Sequence, residues 1–249
     1  MVTLLGRRVV RERLKGAVFD WDGTLASIDD REFYCINLAL TENGSTLINN
    51  EFYIKNYYLR AYEEGTGPRM VLETALAGKS REAIQTVYES YRKIFQATAD
   101  KATLQTGAIE ILKALKRKGF RIGIATMRYT KWVVESELKN LAVAPQVDIL
   151  LTRQDLGVGG TLRSLEETVS QRARLVTKAL GEMRLTPEDV FLVGDSWWDV
   201  RAGKRLGIRT VLVKTGFASY NDFSKENPDL TVTSMNELRE ILEKRQWPV

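Results

Sequence analysis

Residues 17–25 read Ala17-Val18-Phe19-Asp20-Trp21-Asp22-Gly23-Thr24-Leu25: a short apolar run, two aspartates separated by one residue, then a turn. A run of this kind before turn residues has the pattern of a strand buried on both faces, as in a parallel sheet. Alternation at the strand end points Asp20 and Asp22 into one crevice while the backbone turns between them. In open α/β sheets that crevice, beyond the carboxyl ends of the strands, is where ligands bind. Two carboxylates so close repel, so the pairing makes sense around a divalent cation or a transferring group. Asp22-Gly23 by itself is an ordinary tight-turn dipeptide. The apolar strand ahead of it lifts the hexapeptide above that reading.

Three more runs repeat the pattern: Ile122-Gly123-Ile124-Ala125 before Thr126, Val190-Phe191-Leu192-Val193 before Gly194-Asp195, and Thr210-Val211-Leu212-Val213 before Lys214. Helical patterns lie between them, over Ile109 to Gly119 (a C-cap), Lys131 to Leu141 (with Thr130 as N-cap), Leu165 to Met183, and Val200 to Leu206. Strands alternating with helices predict an α/β, doubly wound parallel sheet. Residues 30–103 break the rhythm. Glu32–Leu40, Asn50–Glu64, Arg69–Ala77 and Arg81–Ala99 all read as helices, dense in aromatics such as Tyr53, Tyr57, Tyr58 and Tyr91, with no strand among them. Aromatic stripes at helical spacing read as bundle core. A second, helical module is therefore expected, hinged near Ile28-Asp29 and Leu104-Gln105-Thr106-Gly107.

Composition narrows the chemistry. The 249 residues include one Cys and no His. Without His there is no Ser-His-Asp or Cys-His pair and no imidazole base or ligand. A single Cys excludes an internal disulfide and any Cys₄ zinc site. If the chain is an enzyme, carboxylates, hydroxyls, Lys and Arg must carry the chemistry, with an oxygen-preferring metal such as Mg²⁺ as the expected centre. The net charge of +5 is mild, and basic residues are not interleaved with aromatics, so nucleic acid is not the expected partner. No apolar run approaches the roughly 20 residues that span a bilayer. The basic start, with Arg7, Arg8, Arg11 and Arg13, reads as a solvated helix face and lacks the apolar stretch of a secretory signal. A cytoplasmic location is expected.

Two other strand ends bear polar groups. In Gly194-Asp195-Ser196-Trp197-Trp198-Asp199 the Ser196/Asp199 spacing is that of a capping box, which accounts for Asp199 but leaves Asp195 at the mouth of the crevice. Thr126 follows the second run, where a hydroxyl is often only a cap or turn group. Trp197 and Trp198 suit either the flank of a site or burial against the sheet. Cys35, among Phe33, Ile36 and Leu40, reads as buried packing.

Together these residues resemble the haloacid dehalogenase superfamily, over nearly the full chain. Asp20–Leu25 is similar to its first motif, Thr126 to its second, and Gly194–Asp199 to its fourth. Leu104–Gly107 resembles the re-entry from a helical cap, and Pro228-Asp229 through Leu238 the closing strand and helix. The resemblance implies a Rossmann-like core of residues 1–29 and 104–249, with residues 30–103 as a helical cap that closes over the site. It implies Asp20 as the nucleophile that forms an aspartyl-phosphate and Asp22 as general acid, then base. Thr126 would hydrogen-bond the transferring phosphoryl group. Mg²⁺ would be held by Asp20, the backbone carbonyl of Asp22 and Asp195, with Asp199 ordering a bound water. An Asp at 22 argues against the dehalogenase and phosphonatase branches, which lack it. The third motif departs from the pattern, because Ser170 stands where a Lys is expected. A helix beginning near Ser164 puts Arg174 one turn beyond Ser170 on the same face, which makes it the first substitute and Arg172 the second; Arg163 and Lys178 are poorer in spacing.

The expected activity is Mg²⁺-dependent hydrolysis of a small phosphorylated metabolite, as in phosphoglycolate-phosphatase-like members. A phosphomutase is the first alternative, although such relatives typically use a cap His with a Lys. A catalytically silent binding protein is the second, favoured by the missing Lys. Arg69, in the loop Glu63–Arg69, reads first as an exposed loop arginine, with contact to a substrate carboxylate or second phosphate as the other reading.

Overall fold

A computed structural model describes residues 14–60, 67–158, 162 and 164–244 of the chain. Arg163, Glu63 to Thr66 and the basic start fall outside the described residues, so the expectations placed on them are not addressed by it. Strand β1 (Gly16–Phe19) is fully buried, as its unbroken apolar sequence requires. After it come a two-residue strand β2 (Ala26–Ser27), helices α1 (Asp29–Glu42) and α2 (Asn50–Ile54), a π-helical turn (Lys55–Leu59), and helices α3 (Pro68–Ala75) and α4 (Arg81–Ala97). The chain returns through β3 (Thr103–Leu104) to α5 (Ala108–Arg117), β4 (Arg121–Thr126), α6 (Lys131–Asn140) and β5 (Ile149–Thr152). The remainder is α7 (Leu165–Met183), β6 (Val190–Gly194), α8 (Trp197–Leu206), β7 (Arg209–Val213), α9 (Gly216–Tyr220), β8 (Leu230–Val232) and α10 (Met235–Glu243).

Among the described residues, six strands form one parallel sheet in the order β5-β4-β1-β6-β7-β8. One face buries Phe19, Ile111, Leu115, Ile124, Val134 and Phe191. The other buries Val18, Ala125, Val176, Met183 and Leu192 against α7. Each such side chain removed from water contributes about 1.5–3 kcal/mol, and the edge-to-face pair Phe19–Phe191 adds about 0.5–1.5 kcal/mol. The register is what places the site. Phe19 pairs with Ile124 on one side and Val193 on the other, so Asp20, Thr126 and Asp195 leave three adjacent strands at nearly one level.

Helices α1 to α4 bury a separate cluster around Cys35, Ile36, Leu40, Tyr53, Tyr58, Leu72 and Tyr91. The two crossings between this bundle and the sheet run side by side, because β2 and β3 pair antiparallel, Ala26 with Leu104 and Ser27 with Thr103.

Three local expectations are corrected. A fifth apolar run, Ile149-Leu150-Leu151, which the four-run reading omits, also forms a strand, β5, at the sheet edge with Ile149 and Leu150 only half-buried. The helix expected over Asn50–Glu64 is α-helical only to Ile54 before the π turn. Thr130 stands at the N-cap of α6 but its side chain accepts no bond there; Gln154 instead accepts from the Lys131 amide at 3.3 Å.

Two helical glycines separate packing from propensity. A Cβ on Gly203 of α8 would lie 2.2 Å from Thr210 Cγ2, and Thr210 is pinned by Asp229 Oδ2 through its amide (2.7 Å) and hydroxyl (3.0 Å). Overpacking of about 1–3 kcal/mol therefore exceeds the helix gain of about 1 kcal/mol, and Gly203→Ala should lower the urea midpoint. Gly181, exposed on α7 with open space at its Cβ, should stabilise by about 0.5–1 kcal/mol when changed to Ala.

Candidate active site

Asp20 is the first residue beyond β1; its amide donates to Val193 O at 2.9 Å and its Oδ1 accepts from the Trp21 amide at 2.8 Å. Asp195 follows β6, and its carboxylate is gripped from two other loops. Thr24 Oγ1 donates to Oδ1 at 2.9 Å, and the Phe217 amide donates to Oδ2 at 2.8 Å. Gly23 (φ +74°) and Gly216 (φ +48°) make this grip possible, since a Cβ on either would stand 2.4 or 2.1 Å from Asp195 Oδ2. Asp199, in the first turn of α8, closes the expected capping box by accepting from the Ser196 amide and hydroxyl on Oδ2, which leaves Oδ1 for another partner. One carboxylate oxygen from each of Asp20, Asp195 and Asp199 lies within 4.8 Å of the others.

That other partner is Arg172. Its Nε donates to Asp199 Oδ1 at 2.6 Å, Nη1 donates to Ala125 O and lies 3.6 Å from Asp20 Oδ1, and the side chain is 0% exposed. Its Nη2 is buried without a hydrogen-bond partner. Arg174, ranked ahead of it from spacing, is exposed on the opposite side of α7, beside a surface cleft lined by Ser164 and Ser170. The ranking is therefore reversed. The helix does begin after Ser164, but its inward stripe runs Val169, Arg172, Ala173, Val176, Ala179, Met183, so residue 172 and not 174 meets the sheet.

Asp22 does not join the three carboxylates. Its two oxygens accept from Arg128, Nε to Oδ2 at 2.7 Å and Nη2 to Oδ1 at 2.5 Å. Arg128 Nη1 reaches Glu137 Oε1 at 2.5 Å, and the Arg128 amide donates to Thr126 Oγ1 at 3.2 Å. Arg128 and Glu137 lie outside the motifs, and the one sign of them in the sequence is that Glu137 interrupts the apolar stripe Val133, Val134, Leu138 of α6; the fold buries it completely.

The electrostatics follow from burial. It pushes the Asp20 carboxyl up to about 8, with Asp199 and Asp22 adding and Arg172 opposing. Burial, then Asp20 and Asp199, hold Asp195 well above the usual carboxylate range. Asp22 is raised by burial despite the Arg128 guanidinium. Such a set, all oxygen and all buried, is the chemistry that suits a hard divalent cation. A cavity of about 730 Å³ opens over it toward the helical bundle, lined by Asp20, Asp22, Thr126, Glu32 and Arg69 among others. Trp197 and Trp198 fulfil both readings, packing with Val169 and Leu212 while lining this cavity. Cys35 is buried as expected, its sulfur 3.4 Å from Thr98 Oγ1.

Glu32 faces the cavity from α1, accepts from the Tyr91 hydroxyl at 2.5 Å, and is pushed by burial up to about 7 from an ordinary 4.5. The folded state binds this proton more tightly than the unfolded chain, so stability declines as pH rises between those values. Glu32→Gln removes the titration. The variant and wild type should melt alike near pH 4.5, and the variant should be the more stable at about pH 8, by up to about 3 kcal/mol. A melting difference that does not change with pH would refute this assignment.

Comparison with known proteins agrees with the arrangement. A family profile described as haloacid dehalogenase-like hydrolase matches residues 14–207. The phosphoglycolate phosphatase of Aquifex aeolicus is 31% identical over 231 residues, covering 91% of this chain and 95% of that protein. Pyrophosphatase PpaX of Bacillus cereus (strain B4264) is 24% identical, covering 92% and 97%. Two solved structures share the fold. A haloacid dehalogenase-like family protein of Streptococcus pneumoniae has a TM-score of 0.68 at 18% identity, over 92% of this chain and 98% of that one. CbbY from Rhodobacter sphaeroides, solved in complex with phosphate, has a TM-score of 0.69 at 21% identity, over 90% and 96%. With the profile spanning most of the chain and the sheet and its buried aspartates in place, the chain belongs to the haloacid dehalogenase-like hydrolase family.

Proposed function

We propose that the chain is a phosphatase that hydrolyses a small phosphorylated metabolite through covalent phosphorylation of Asp20. One observation carries this reading: Asp20 stands beside two further buried aspartates and beside Arg172, whose Nη2 is a buried donor lacking an acceptor. A phosphoryl oxygen is such an acceptor. Asp20 attacks phosphorus as the bond to the leaving oxygen breaks, and Asp22 supplies the proton to that oxygen. Asp22 then takes a proton from water, which attacks the phosphoaspartate, releases inorganic phosphate and restores Asp20. Thr126, at the end of β4, donates to the transferring group, and Arg172 opposes its charge. Arg174 has no part in this scheme.

Mg²⁺ fits the residues present, because the donors are oxygens only and three buried carboxylates outweigh one guanidinium. Asp20, the Asp22 carbonyl and Asp195 would hold it, and Asp199 would order a bound water. When bound, the ion offsets charge on the transferring phosphoryl group. Residues 30–103 act as the cap and residues 1–29 with 104–249 as the core, the paired crossings β2 and β3 forming the hinge. Relatives named for phosphoglycolate and pyrophosphate support a small anionic substrate. The single buried thiol of Cys35 and the lack of any membrane-crossing helix among the described residues support work in the cytoplasm.

A panel of phosphoesters including p-nitrophenyl phosphate tests this. Turnover should require Mg²⁺, cease on chelation and return on adding the ion back. Asp20→Asn should bring turnover to background while melting cooperatively; retained activity would remove Asp20 as the nucleophile. Arg172→Lys keeps the charge but loses the planar fork, and should lower kcat by about 10²-fold. Arg174→Gln should leave kcat unchanged, and the reverse outcome would exchange the roles of the two arginines.

A further inference from the structure

Asp22 is held by a chain of buried ion pairs that begins in the helical bundle. Arg31, in the first turn of α1, donates through Nη1 to Glu137 Oε1 at 2.6 Å. Its other edges stay within the bundle, Nη2 to Phe95 O at 2.5 Å and Nε to Thr98 Oγ1 at 3.2 Å, with the guanidinium 3.9 Å from the centre of the Phe95 ring. Phe95 and Thr98 close α4 just before the return through β3. Glu137, on the sheet side, also accepts the Trp21 indole on Oε2 at 2.7 Å and Arg128 Nη1 on Oε1. The remaining fork of Arg128 takes both oxygens of Asp22, and its guanidinium lies 4.8 Å from the centre of the same Phe95 ring.

We infer that Arg128 is the positioning residue for Asp22, and that Glu137 makes its hold depend on where the bundle sits. A bidentate fork fixes a carboxylate in plane and direction, which a single contact does not. Arg128 is itself fixed on two sides: Glu137 bonds its Nη1 and Phe95 covers its face. Glu137 and Phe95 belong to different parts of the molecule, and Arg31 bridges them. A shift of α1 and the end of α4 takes away the ring and one of the two cations on Glu137, so Arg128 re-aims and Asp22 moves with it. A buried carboxylate shared by two arginines responds strongly to losing either, because what remains is an unbalanced charge in the interior.

The inference rests on the reading of Asp22 as the group that protonates the leaving oxygen, and leaving-group chemistry tests the two separately. 2,4-Dinitrophenolate departs from its phosphate ester without a proton, whereas the glycerol oxygen of glycerol phosphate needs one. Asp22 also serves the later attack of water, a step both esters share, so the readout is the single-turnover rate of leaving-group release; there Asp22→Asn should slow the alkyl ester far more than the aryl one, and equal losses would overturn the role of Asp22 as the acid. Arg128→Gln should copy that selectivity, slowing single-turnover release about 10- to 100-fold for glycerol phosphate and within about threefold for the dinitrophenyl ester, with half-saturation little changed. Arg128→Lys should recover only part of the loss. Equal losses on both esters, beside a selective Asp22→Asn, would overturn the positioning role. A rise confined to half-saturation would instead make Arg128 a substrate contact. The link to the bundle has its own readout, which needs no turnover: Glu137→Gln and Arg31→Gln should each speed amide exchange across residues 95–104. Unchanged exchange there would overturn the link.

Discussion

Three carboxylates placed at the end of a parallel sheet, away from water, are the constraint around which the rest of this molecule is arranged. Asp20, Asp195 and Asp199 repel one another, and burial makes the repulsion expensive. Arg172 is the protein's own answer, threaded through the core to lie between Asp199 and Asp20. With all three ionised, one guanidinium against three carboxylates would leave two negative charges, the charge a divalent cation would match. The surrounding glycines, the Thr24 hydroxyl and the Phe217 amide hold that geometry, so the site does not relax by spreading its charges apart.

The parts legible in the sequence are those where one physical demand acts alone. Strands β1, β4, β6 and β7 are buried on both faces and therefore read as unbroken apolar runs. Asp20, Asp22, Thr126 and Asp195 stand at the ends of those runs, so the register of the sheet brings them to one crevice. Where two demands compete, the reading weakens. β5 is half-exposed at the sheet edge although its run Ile149-Leu150-Leu151 is as apolar as the others, so the degree of burial cannot be read from the run alone. Arg172 sits in a stripe that spacing from Ser170 does not weigh, since the helix face is set by Val169, Ala173 and Val176 and not by motif distance. Glu137 is a charge inside an apolar stripe, the mark of a buried pair, but its partners Arg31 and Arg128 lie 106 and nine residues before it. Chain position does not reveal such a triad; only the closed fold does.

The helical bundle has its own apolar cluster and still depends on the sheet. Tyr57 stacks on Phe217 with ring centres 5.7 Å apart, and Tyr58 stacks on Tyr220 at 4.5 Å, so aromatic faces from the bundle rest on α9. α9 is also the element whose Phe217 amide holds Asp195. The contact that seats the bundle and the contact that shapes the carboxylate cluster thus share one short helix.

The π turn at Lys55–Leu59 has a consequence for how this bundle changes over generations. A π turn accommodates one residue more than an α turn, so it behaves as an absorbed insertion. Loss of a single residue there would restore an α turn while the chain on either side keeps its direction, and would remove the widened turn that carries Tyr57 and Tyr58. The stacking of Tyr57 on Phe217 and of Tyr58 on Tyr220 would be lost with it. A one-codon deletion, with no change in the sheet or its aspartates, is thereby enough to redraw the wall that faces the cavity.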